Sequence, residues 1–149
     1  MAREFEAAMV ALRCERGYTL VDMAVVLLLL GTVLGTTGPL SRRVVARYQL
    51  NTAVQTLVAD LAQAKIRAIQ SNSVATVRRE SNRDYRVSGS PRQLPGMVRF
   101  DTESADSVVY NGLGALSGGS TQRFVLVDSF GEEREIRVYA AGGHEVRKL

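Results

Sequence analysis

Three hydrophobic patterns follow one another along this chain. From Leu20 to Leu40 the side chains are predominantly apolar, with Leu27-Leu28-Leu29-Leu30 in the middle and Asp22 as the one charge. At roughly 20 residues per crossing, such a run is long enough to span a hydrocarbon core. Four consecutive leucines leave no polar face for water, which argues against a core helix of a soluble domain and for a single membrane helix. Beyond Pro39 the pattern becomes amphipathic. Leu50, Val54, Leu57, Leu61, Ala64 and Ala68 recur at alternating spacings of four and three, which places them on one helical stripe. Gln49, Gln55, Asp60, Gln63, Lys65 and Arg67 are left for the other faces, and the pattern ends near Ser71-Asn72-Ser73.

From Val74 onward the period becomes two and turn residues multiply. Strands are predicted at Val74–Arg79, Asp84–Val87, Met97–Phe100, Val108–Tyr110, Arg123–Asp128, Glu135–Tyr139 and Glu145–Lys148, separated by Ser-Gly-Ser-Pro, Asn-Gly, Ser-Gly-Gly-Ser and Gly-Gly. One helix followed by short strands reads as an α+β fold: a long N-terminal helix, membrane half plus amphipathic stem, packed on an antiparallel β-sheet or small sandwich.

Composition removes most chemistry. The chain has one histidine, His144, and one cysteine, Cys14, so Cys/His zinc sites cannot be built. No Gly-x-Ser-x-Gly elbow is present, and Gly112-Leu113-Gly114 opens no helix, so neither a hydrolase nucleophile nor a phosphate cradle is indicated. Glu132-Glu133 beside Arg134 reads as a solvated hairpin tip. The expectation is a non-enzyme without cofactor or metal. The net charge of +4 is mild and compatible with an anionic partner without specifying one. Arg13 and Arg16 flank one end of the apolar run and Arg42, Arg43 and Arg47 the other, so arginine counting does not set its orientation.

The N-terminal order is the opposite of an ordinary secretory signal, whose small-residue cleavage site follows the apolar region. Here Arg16-Gly17-Tyr18-Thr19-Leu20-Val21-Asp22 precedes it. This arrangement resembles the class III signal of type IV prepilins and pseudopilins. Leu61 to Val77, Leu94-Pro95-Gly96-Met97-Val98-Arg99-Phe100, Tyr110-Asn111-Gly112-Leu113-Gly114 and the closing Gly-Gly-X-X-Val-Arg are similar to the GspH/FimT group of minor pilins.

The resemblance implies a leader over residues 1–17, cleaved after Gly17 by a prepilin peptidase, and N-methylation of Tyr18. It implies a transmembrane and assembly helix over 18–40, a stem over 41–72 and a periplasmic β-rich domain over 73–149. Asp22 becomes the fifth mature residue, where the family carries a glutamate thought to pair with the N-terminal amine of a neighbouring subunit. A carboxylate at that depth otherwise snorkels to the interface. Pro39 falls where many pilins carry a proline and where the assembled helix is locally melted; an ordinary proline kink is the alternative.

The function implied is that of a minor pseudopilin in the periplasmic pseudopilus of a type II secretion system. Its partners would be other pilin subunits, the peptidase and the bacterial inner membrane. The alternative is a type IV pilus minor pilin of the FimT kind that binds DNA for uptake, for which Arg134, Arg137, Arg147 and Lys148 are the candidate contacts. Glu132, Glu133, Glu135 and Glu145 interleave with those bases and favour a mixed-charge strand face. Outside the filament family, the residues also fit an uncleaved, single-span anchored β domain.

Overall fold

The computed structural model describes residues 19–149, the side chains of residues 34–40 excepted. Gly17, Tyr18 and the expected leader lie outside the described residues. The chain divides between Leu40 and Ser41 into two compact units. Helix α1 (Leu20–Ser71) contributes to both and is helical at every position, Gly31 and Pro39 included.

In the second unit, α1 buries Ala46, Leu50, Ala53, Val54, Leu57, Leu61, Ala64 and Ala68. All six members of the predicted stripe are therefore core, widened by two alanines. The helix stops where Asn72 turns left-handed at φ 45°. The Asn72 amide then donates to the Ile69 carbonyl at 3.2 Å and the Ser73 amide to that of Ala68 at 3.1 Å. These two bonds satisfy carbonyls that a helix end leaves orphaned.

Eight strands follow in two antiparallel sheets. β1 (Ala75–Arg79), β2 (Asp84–Val87), β3 (Ser90–Gln93) and β5 (Ser107–Tyr110) form one, ordered β3-β2-β1-β5. β4 (Arg99–Phe100), β6 (Gln122–Val127), β7 (Glu133–Val138) and β8 (His144–Lys148) form the other, ordered β4-β6-β7-β8. Seven strands match predicted ones within a few residues.

β3 departs from the sequence pattern, which places a turn at Ser-Gly-Ser-Pro. Only Ser88 and Gly89 turn the chain, with φ of 48° and 89°. Both central residues of this two-residue hairpin are left-handed, which matches the twist of its strands. Ser90 and Pro91 already pair with Val87 and Arg86. All four β3 side chains are exposed and the strand is a sheet edge, so it carries no apolar alternation and tolerates proline.

One hydrophobic cluster joins the stem to both sheets. Phe100 is its link between sheets. Its ring meets Tyr85 of β2 edge-on at 5.9 Å and 87°, and Phe124 of β6 at 5.9 Å and 52°. A polar anchor sits beside it: the Tyr85 hydroxyl donates to Asp60 Oδ2 at 2.6 Å, and Arg92 Nε lies 3.9 Å from Oδ1. Asp60, which the pattern leaves off the apolar stripe, is thus only 7% exposed. Burial, then this hydrogen bond, push the Tyr85 phenol far above its ordinary value, so the hydroxyl stays protonated and donates.

Further contacts clamp the two ends of the stem to the second sheet. Arg47 pairs with Glu132 at 3.0 Å, so that carboxylate is not the free hairpin tip expected. The Arg43 guanidinium lies 5.9 Å over the Phe130 ring. At the other end Lys65 Nζ donates to the Gly142 carbonyl at 3.0 Å. Gly142 has φ +76°, and a Cβ there would meet the Gly114 carbonyl oxygen at 1.9 Å. Only glycine fits this crossing of two loops.

Phe100→Ala is expected to destabilise the second unit by about 4 kcal/mol, because it empties the contact between the sheets. Urea denaturation of the full chain in detergent, followed by tyrosine fluorescence, measures it.

Candidate functional site

At the start of α1, Thr19 and Asp22 cap the helix reciprocally. The Asp22 amide donates to Thr19 Oγ1 at 3.3 Å, and the Thr19 amide and hydroxyl donate to Asp22 Oδ2 at 3.3 and 3.0 Å. This is a capping box with aspartate in place of the commoner glutamate. The negative charge also stands where the helix dipole favours it. The sequence carried this signal as Thr-x-x-Asp ahead of an apolar run, alongside the reading of Asp22 as an assembly carboxylate.

Every described side chain from Thr19 to Val33 is exposed, including Leu20 at 87% and Leu28 at 68%. The apolar character goes all round the helix. Among the described residues, no helix is long and apolar enough to cross a membrane. The described residues therefore do not show the membrane helix expected over 18–40. Pro39 lies in α1, its side chain outside the described residues.

The basic residues singled out on the last strands do not form one patch. Pairing sets Arg137 opposite Glu145, Glu135 opposite Arg147, and Arg134 opposite Lys148. With a period of two, Arg137 and Arg147 share one face of the sheet, while Arg134 and Lys148 share the other. Carboxylates hold the first pair: Arg137 Nε donates to Glu135 Oε1 at 2.8 Å, and Arg147 Nε to Glu145 Oε1 at 2.9 Å. These hydrogen bonds push both guanidinium groups further up from their ordinary values. Glu145, bonded to Arg147 and to the Tyr139 hydroxyl, is held below the usual carboxylate range. Glu135 is 1% exposed, and its Oε2 is buried without a protein donor. The sequence reading missed this buried glutamate, because alternating Glu and Arg look like a solvated face.

His144 is exposed and opens β8. Among the described residues, no group of three or more His, Cys, Asp or Glu is placed to hold a metal ion.

A helix whose N-terminal part is apolar all round, and whose C-terminal part is buried against two antiparallel sheets, defines a minor-pilin-like fold. The chain superposes on the type IV minor pilin FimU of Pseudomonas aeruginosa in two crystal forms. In one the TM-score is 0.57 at 15% identity, covering 68% of this chain and 90% of that one. In the other it is 0.56 at 14% identity, covering 66% and 92%. These neighbours are structural pilins, and the likeness is one of fold. No family model and no curated protein matches the sequence.

Thr19→Ala is expected to fray the first turn of α1, since loss of an N-cap costs about 1 kcal/mol. Amide hydrogen exchange of Val21 to Val25 in detergent should accelerate about fivefold, with the second unit unchanged.

Proposed function

We propose that the protein is a minor subunit of a pilin-like filament, matured by cleavage after Gly17 and N-methylation of Tyr18. It waits in the bacterial inner membrane with its β domain in the periplasm. The observation that carries this reading is the exposed apolar segment Leu20–Val33 in a chain whose remaining part has a minor-pilin fold. Each large apolar side chain gains about 1.5–3 kcal/mol on burial, so lipid or neighbouring helices must cover the segment. In the filament reading, lipid covers it first and other pilin helices later.

Asp22 then has two roles in sequence. In the isolated subunit it caps its own helix; in assembly its carboxylate exchanges Thr19 for the Tyr18 amine of a neighbouring subunit. The exchange keeps a charge-assisted hydrogen bond throughout, which an apolar setting requires.

The system served is the type II secretion pseudopilus in the first reading. The fold neighbours favour a second, a type IV pilus, because they are type IV minor pilins. DNA capture gains no support from basic residues that lie on two faces and are partly neutralised. Deleting the gene separates the systems: accumulation of exoproteins in the periplasm marks secretion, and loss of surface pili marks the pilus.

A bulky residue at Gly17 is expected to block maturation, read as an intact leader by N-terminal mass. Asp22→Asn and Asp22→Ala should be cleaved normally yet fail to enter filaments, whereas Thr19→Ala, which keeps the charge, should enter. Incorporation of Asp22→Ala at the wild-type level would refute the assembly role.

A further inference from the structure

The base of the second unit, where Arg43 and Arg47 clamp the stem, also leaves an amphipathic surface open to solvent. Phe130, in the β6–β7 turn, is 52% exposed, and Met97, before β4, is 73% exposed. With Val45, also 52% exposed, they line a cleft of about 470 Å³ that includes Arg42. Phe130 also lines a second cleft, of about 220 Å³, with Arg43 and Arg47. Phe130 is thus shared by two clefts that both contain arginine, with the Arg43 guanidinium 5.9 Å from its ring centroid.

The acidic groups at this base are already engaged. Asp128 is 4% exposed, and its Oδ1 accepts from the amides of Phe130 and Glu132. Glu132 is paired with Arg47. These contacts hold the turn that presents Phe130 and, among the described residues, leave Arg42 and Arg43 with no carboxylate partner. In sequence, Arg42 comes two residues after Leu40, the last residue of the apolar run.

We propose that this base is a bilayer-docking surface for anionic phospholipid. Arg42 and Arg43 take headgroup phosphates, and Phe130, Met97 and Val45 enter the interfacial layer. The proposal rests on the membrane reading of the apolar segment and goes beyond it, since a chain can be anchored by one helix while its domain stays free in water. Three features select a lipid surface. The patch has the positive sign that anionic headgroups attract, its aromatic member Phe130 is of a type found on interfacial faces, and it begins where the apolar run ends. Each arginine at such a surface is expected to strengthen association about fivefold at low ionic strength. Docking would hold the domain against the membrane until a filament withdraws it.

The chain has no tryptophan, so single insertions act as depth probes. The full chain is reconstituted in vesicles of phosphatidylcholine with or without phosphatidylglycerol, containing brominated lipid as quencher. Val25→Trp tests the anchoring segment and Phe130→Trp the base. Leu113→Trp, in the loop beside Ile69, is the distal control; Ile69 lies about 35 Å along α1 from Ala46.

The expected result is quenching of Val25→Trp in both lipids and of Phe130→Trp only with phosphatidylglycerol, with Leu113→Trp unquenched. Salt at 0.5 M, or the added pair R42Q and R43Q, should cut Phe130→Trp quenching severalfold and leave Val25→Trp unchanged. Quenching of Val25→Trp alone overturns docking while the anchor stands. Phe130→Trp quenched equally without phosphatidylglycerol overturns headgroup recognition by arginine, and equal quenching of Leu113→Trp overturns the assignment to the base. An unquenched Val25→Trp removes the membrane reading, and docking with it.

Discussion

The second unit depends on covering one stripe of one helix. Leu50, Leu57, Leu61 and Ala68 of α1 are fully buried, and helix stability in a protein comes mainly from such packing and not from local propensity. The stripe cannot cover itself, and the sheets cannot close their inner faces without it. Phe100 makes the arrangement cooperative because its ring touches an aromatic residue from each sheet. Stem and sheets therefore stand or fall together. The Asp60–Tyr85 bond adds direction to a packing that hydrophobic contact alone would leave free to slide.

The same helix uses its residues oppositely in the two units. Beyond Ser41 it is amphipathic and its apolar face is satisfied within the chain. From Leu20 to Val33 it is apolar all round, and its described side chains are exposed. In the filament reading proposed above, lipid and then neighbouring helices cover that exposed apolar segment. The Thr19–Asp22 box satisfies the first turn meanwhile, and it does so with the one carboxylate of the apolar run.

Much of this was legible in the sequence. The six-residue stripe, the helix end at Ser71, seven of the eight strands and the α+β class follow from local periodicity and turn residues. The capping role of Asp22 went unread there, although Thr-x-x-Asp ahead of an apolar run is its signature. The separation of Arg134 from Arg137 was legible, since they stand three apart in one strand and must face opposite ways. β3 was not legible. An exposed edge strand with Pro91 buries nothing, so its composition is that of a loop, and only pairing with β2 makes it a strand.

The order of polar and apolar residues by itself determined the local elements, because helix and strand periodicities act over a few neighbours. It also set apart the apolar N-terminal run, whose character needs no partner to be recognised. Tertiary structure decided everything that joins residues far apart in the chain. It buried Asp60 under Tyr85, set Phe100 between two sheets, and laid Arg147 beside Glu135 and Lys148 beside Arg134. It also brought Met97 and Phe130 to the arginines at the foot of the stem. The physical reason is the same in each case: burial and charge pairing depend on which distant strand or helix arrives alongside. That is fixed by strand register and by the covering of one apolar stripe, and neither is written in any local stretch.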